Sequence, residues 1–233
     1  MKTAVWFCIL FIAILGACSD DMTFDSQSGT FKDSRDKHRY KWLRIGDQIW
    51  MGENLAWLPS VSPSSDSSET DSYYYVYGYE GKIISKAKTT VEYATYGALY
   101  NWNAALTACP SGWHLPSDQE WKDLEMYLSM SKSAADSTGW RKTGYVGMKL
   151  KSVTGWDQNV WADNASGFSA IPGGERFFIG GFGYLGEKAT FWTSSKFPEE
   201  FVWYRSLYSG YVHEWRGWCF KGSGFSVRCI KNN

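Results

Sequence analysis

The chain has 233 residues, with 24 Lys+Arg set against 24 Asp+Glu. That balance leaves no basic excess for a nucleic-acid backbone and no acidic tail to buffer cations. The length suffices for one well-buried core behind a short leader, and no later segment reaches the ~18 apolar residues of a membrane span. Aromatic residues make up 18% of the chain, 14 of them Trp, and Gly occurs 23 times. Rings packed beside tight turns in a loop-rich fold are therefore expected.

Met1-Lys2 is a short basic start, and residues 5–15 form an apolar run of signal-peptide length. The run ends in Leu15-Gly16-Ala17-Cys18, which resembles the bacterial lipobox. That resemblance implies cleavage after residues 1–17, with diacylglycerol carried on Cys18 as the attachment to the membrane. Ser19-Asp20-Asp21 resembles the acidic signals that send some Gram-negative lipoproteins to the outer face of the outer membrane. Surface display is the expectation, and a periplasm-facing anchor is the alternative. Residues 18–30 read as the lipidated cysteine and a flexible tether, and residues 31–233 as a single domain.

Within that domain, residues 40–45 and 48–51 alternate around Gly46-Asp47, a two-residue hairpin signal. Residues 59–72, rich in Ser, Asp and Thr, predict an exposed loop, and residues 73–77 a strand. Leu99, Trp102 and Leu106 sit at helical spacing within 96–108, and Pro110 ends that helix. Ser117 with Glu120 forms a capping box that opens a second helix over about 118–129, with Trp121, Leu124 and Leu128 inward. Past Gly139 helical periodicity disappears and short, Gly-punctuated strands follow. In 224–229 alternation places Phe225, Val227 and Cys229 on one strand face. The pattern is α+β: two helices packed on short, mostly antiparallel strands with long irregular loops.

Several segments, in order, resemble the Fibrobacter succinogenes major paralogous domain. They include Ile45-Gly46-Asp47-Gln48-Ile49-Trp50-Met51-Gly52-Glu53-Asn54-Leu55, Tyr96-Gly97-Ala98-Leu99-Tyr100-Asn101-Trp102 and the stretch from Cys109 to Trp121. Leu150-Lys151-Ser152, Gly167-Phe168-Ser169-Ala170-Ile171-Pro172-Gly173-Gly174, Phe191-Trp192-Thr193-Ser194-Ser195 and Gly224 to Cys229 continue the series. The resemblance implies an exported lipoprotein domain with a C-type-lectin-like fold, related to formylglycine-generating-type domains. A shared fold does not carry an activity with it. The resemblance departs in one place: many members carry a further cysteine pair ahead of the Tyr-Gly-Ala-Leu-Tyr segment, where this chain has tyrosines instead.

Once Cys8 leaves with the leader and Cys18 is lipidated, Cys109, Cys219 and Cys229 remain, enough for one bridge and one leftover thiol. A hairpin about Gly222-Ser223-Gly224 sets Cys219 opposite Ser226, so a Cys219–Cys229 bridge needs a register shift. Cys109–Cys229 is the favoured pair, with Cys219 free or buried beside Trp218 and Phe220. His38, His114 and His213 are scattered and form no zinc pattern. The loop residues Trp156, Asp157, Asn159, Trp161, Asp163 and Asn164 combine stacking rings with hydroxyl-directing polar groups and are the candidate ligand site. Trp156 is the better core anchor of the two tryptophans and Trp161 the sharper contact. These oxygens suit Ca²⁺, but the lectin sugar-calcium motif is absent, so no cofactor is assigned. The expected function is non-enzymatic binding or adhesion, directed at glycans of a polysaccharide or glycoprotein. The alternatives are an exported enzyme of formylglycine-generating type and a structural accessory subunit of an envelope assembly.

Overall fold

The computed structural model describes residues 26–157 and 161–232. The leader 1–17, Cys18, the first part of the tether and Asn159 lie outside the described residues. Strands β1 (Ser28–Lys32), β2 (Arg39–Ile45) and β3 (Gln48–Met51) open the domain. The β2–β3 turn is the expected Gly46-Asp47, with Gly46 at φ +61°. β1 begins inside the stretch read as tether. Phe31 is buried, and Gly29 lies flat on the Trp42 ring, where a Cβ would come within 2.8 Å, so packing draws the chain into the sheet.

Next come β4 (Tyr74–Tyr75), α1 (Ile84–Ala87), α2 (Val91–Tyr96), β5 (Leu99–Tyr100) and α3 (Trp102–Ala108). The helix expected over 96–108 is thus only its second half. Gly97 turns at φ +76°, where a Cβ would meet the Leu55 carbonyl at 2.7 Å, and Leu99–Tyr100 pairs with β4. Asn101 then caps α3: its Oδ1 accepts from the amides of Ala104 and Tyr73, while Nδ2 donates to the Ser68 and Asp71 carbonyls. Those bonds pin segment 59–72, where Val61 and Ser64 are buried rather than exposed.

β6 (Trp113–His114) leads into α4 (Asp118–Tyr127), which carries the expected capping box of Ser117 and Glu120. Two short helices that sequence periodicity does not reveal follow, α5 (Lys132–Asp136) and α6 (Val146–Leu150), on either side of β7 (Gly139–Arg141). The last strands are β8 (Gly173–Arg176), β9 (Phe182–Leu185), β10 (Lys188–Phe197), β11 (Phe201–Tyr208), β12 (Glu214–Phe220) and β13 (Ile230–Lys231).

One sheet has the order β1-β2-β3-β13-β6 and another β7-β12-β11-β10-β8-β9, with β4-β5 as a separate pair. Every named pairing is antiparallel except β8 with β10, so the architecture is α+β and mostly antiparallel. Residues 224–229 form no regular strand. They run between the sheets through single bridges to Tyr100, Arg176 and Phe191. Ser226 and Arg228 are buried along with Phe225, Val227 and Cys229, so the expected one-sided alternation becomes burial on both faces. Cys229 is bonded to Cys109 across a sequence separation of 120, tying the end of the chain to the turn before α4.

Between α4 and the six-stranded sheet lies an ionic network. Arg205 and Arg216 both donate to the Asp118 carboxylate, and Arg141 bridges Glu125 and Glu214, with Arg205 also reaching Glu125. Burial raises Glu214 well above the usual carboxylate range, and the neighbouring Glu125 charge adds to that. Burial acts on Glu125 in the same sense, but Arg205 and Arg141 outweigh it and hold that carboxyl below its ordinary value. Among the described residues, three other buried cations have no carboxylate at ion-pair distance. Arg228 donates to the carbonyls of Met51, Phe168 and Ser169, Arg176 to those of Ser64, Asp66, Phe178 and Gly222, and Lys151 to those of Tyr208, Ser209 and Tyr211.

Candidate functional site on the aromatic face of the large sheet

Register decides which side chains meet. Trp215 pairs with Ser206 and Trp140, Tyr204 with Gly217, Tyr208 with Lys188, and Val202 with Cys219. Paired residues share a face of an antiparallel sheet, so these side chains gather on the face opposite α4. Trp140 is the hub. It stacks on Tyr211 with centroids 4.3 Å apart and meets Tyr208 at 5.2 Å and Trp215 at 5.5 Å edge to face. Tyr211, in the turn between β11 and β12, is 50% exposed, so its ring presents a free surface.

Beside this cluster β7 ends, leaving a cleft of about 290 Å³ lined by Thr138, Gly139, Tyr204, Trp215, Arg216, Gly217 and Trp218. Gly217 makes the floor. A Cβ there would collide with Trp215 Nε1 and approach Tyr204 Oη to 3.0 Å, so an indole N–H and a phenol converge where the side chain is missing. Rings lining such a recess can stack on an apolar ligand face, with the Tyr204 hydroxyl beside them, while the Trp215 Nε1 itself is buried.

Further across the same face, Lys188 donates to Glu175 at 2.7 Å, and Thr190 joins Glu175 to Ser206. The Lys188 ammonium sits 5.1–5.9 Å from the ring centres of Tyr184, Tyr204 and Tyr208. Burial alone would lower its pKa, but Glu175 and Tyr208 outweigh that and hold it above the ordinary lysine value. Among the described residues Cys219 is the free thiol. Burial, with Glu175 adding to it, pushes the thiol far above the ordinary cysteine range, the opposite of what a nucleophile requires.

The loop singled out in the sequence is arranged differently. Trp156 is half-buried against the core, its Nε1 donating to Ser152 Oγ at 3.1 Å, as an anchor would be. Asp157 folds its backbone onto the Gly186 carbonyl. Asp163 Oδ1 accepts from the Ala165 amide, and Asn164, at φ +51°, clasps Ser169 through both its amide oxygen and its nitrogen. The Asp163 and Asn164 side chains thus hold the loop itself. Trp161, 62% exposed, is its one large free ring among the described residues. Among the described residues no group of three or more His, Cys, Asp or Glu could hold a metal. Trp140, Tyr208, Tyr211 and Trp215 escaped the sequence reading because they converge only when three strands, β7, β12 and β11, pair. Their signal was the period-two series Tyr204, Ser206, Tyr208 on one strand and Trp215, Gly217, Cys219 on the next, with Tyr204 opposite Gly217 and Ser206 opposite Trp215.

These features define an α+β domain, closed by a terminal disulfide, whose large sheet carries an aromatic recess. The profile of the Fibrobacter succinogenes major domain matches residues 43–231, and the chain belongs to that family. No curated protein and no solved structure matches it.

Proposed function

We propose that this protein is a non-enzymatic glycan-binding or adhesion module, built on a C-type-lectin-like arrangement and held at the cell surface by lipid on Cys18. The observation that carries the reading is the recess at Gly217, where the Trp215 indole N–H and the Tyr204 hydroxyl converge beside the Trp140–Tyr211 stack. Sugars offer an apolar ring face ringed by hydroxyls, and that recess has both complements. The unreactive Cys219 thiol weighs against the formylglycine-generating-type alternative. The lectin-like arrangement is supported by the way β13 joins β3 and β6 while Cys229 bonds to Cys109, bringing distant parts of the domain together.

The test is a glycan array and polysaccharide pull-down with the full chain purified in detergent. Tyr211→Ala should weaken binding of any captured glycan by about 1 kcal/mol, roughly fivefold, with little change in melting temperature. Gly217→Ala should weaken it further by moving Trp215 and Tyr204. Capture that neither substitution alters would place the ligand elsewhere, and a blank array and pull-down would remove the glycan reading.

A further inference from the structure

The Leu150-Lys151-Ser152 motif plays no part in the recess itself, yet Lys151 reaches it from behind. Helix α6 lies against the backbone leading into β12: the Met148 amide donates to the Val212 carbonyl at 3.0 Å, and Gly147 has no room for a Cβ against His213. Lys151, at the C-cap of α6, is fully buried. Its Nζ donates to the carbonyls of Tyr208 at 2.9 Å, Ser209 at 3.4 Å and Tyr211 at 2.6 Å. An ammonium has three donors, and all three are spent on one turn. That turn carries Tyr208 and Tyr211, the two rings that pack on Trp140.

Resting on the glycan-binding reading, we propose that Lys151 is the positioning residue of the aromatic face: its ammonium fixes the β11–β12 turn, and ligand affinity follows its protonation. A neutral amine has two donors and a lone pair. Facing three carbonyl oxygens, it must release one of them, and the turn relaxes.

The surroundings set where this happens. No carboxylate ion-pairs with Lys151 among the described residues, and the Trp156 ring lies 5.4 Å from Nζ. Burial pushes the lysine down to about 8. The other charged groups nearby are otherwise engaged or turned away. Lys149 donates to the Leu128 carbonyl, Glu187 meets the turn through its backbone carbonyl, and Lys188 is paired with Glu175. Burial and Lys142 hold His213 below its ordinary 6.5, so it stays neutral through this window. The folded domain holds the Lys151 proton less tightly than the unfolded chain does. Raising the pH therefore does not unfold the protein through this group, and the change is local.

Near-ultraviolet circular dichroism of the full chain from pH 6.5 to 9.5 reads the Trp140–Tyr211 stack without any ligand. Wild type should change through pH ~8, Lys151→Arg should stay flat because arginine keeps its charge, and Lys151→Met should differ from wild type at neutral pH. Binding of cellohexaose, xylohexaose and mannohexaose is measured in parallel. At pH 9 about one molecule in ten keeps the charge, so affinity should fall about tenfold from its neutral value in wild type but not in Lys151→Arg. Superimposable wild-type and Lys151→Arg titrations would overturn the proposal, as would wild-type binding that ignores pH. A dichroic titration with no oligosaccharide bound at any pH would support the staple and overturn the glycan reading. The comparison of wild type with arginine stands even if the methionine variant fails to fold.

Discussion

Asp118 ties the start of α4 to Arg205 and Arg216 of the large sheet, and Asp118→Asn tests that tie directly. The carboxylate accepts from Arg205 Nη1 at 2.9 Å and from Arg216 Nε and Nη2 at 2.8 and 2.7 Å, with Lys122 at 3.4 Å. An amide keeps the shape but replaces an acceptor with a donor aimed at guanidinium N–H groups, leaving two buried cations short of charge. Breaking a buried pair from one side costs about 3–5 kcal/mol, or about 10 °C of melting temperature in a domain of this size. Burial by itself would raise the Asp118 carboxyl, but Arg216 and Arg205 more than offset it and hold it below its ordinary 3.8. A depressed folded value means the contribution is complete above pH 3.8 and drains away as the pH falls toward the folded value. Urea unfolding followed by tryptophan fluorescence at pH 7, and again from pH 4 to 2, measures both effects. A loss below about 1 kcal/mol at pH 7, or an acid slope in the variant as steep as in wild type, would refute this account of the network.

Cys109→Ser and Cys229→Ser should each destabilise the domain by about 5 kcal/mol in the chain-entropy account, while Cys219→Ser should do far less. Non-reducing peptide mapping that links Cys219 to either partner would overturn that assignment. Cys18→Ser should release the protein from membranes or stop its maturation, which fractionation and mature size reveal together. Trp161→Ala should leave the melting temperature unchanged, since its ring is largely free. If that substitution also abolishes capture on the glycan array while Tyr211→Ala does not, the ligand sits on the 156–164 loop and not on the sheet.

Apart from the Cys109–Cys229 bridge, the features legible in the sequence were the short-range ones. Gly46-Asp47 must turn, Ser117 and Glu120 must cap, and both did so because each rests on chemistry within four residues. The start of α3 was misread because Leu99 fits a helical stripe as well as it fits β5. The decision belonged to Gly97 and to the four hydrogen bonds of Asn101, three of them to residues well upstream in the chain. Residues 224–229 alternate as an edge strand would, yet Arg228 is buried because three carbonyls from two distant segments and the Phe168 ring surround it. Asp118 stands at the start of the helix expected over about 118–129, and nothing nearby in the sequence announced two arginines arriving from β11 and β12.

Arg228, Arg176 and Lys151 share a mode of attachment that bears on how such a domain can diversify. Each grips mainly peptide carbonyls, and every residue supplies a carbonyl whatever its side chain. Arg176 holds Ser64 and Asp66 through their backbone oxygens, and Lys151 holds Tyr208, Ser209 and Tyr211 in the same way. The gripped loops are therefore free to change residue type without losing their shape, provided the gripping residue stays. Arg176 and Lys151 thus work as fixed pegs on which loops of different composition can be strung without redesigning the core beneath them.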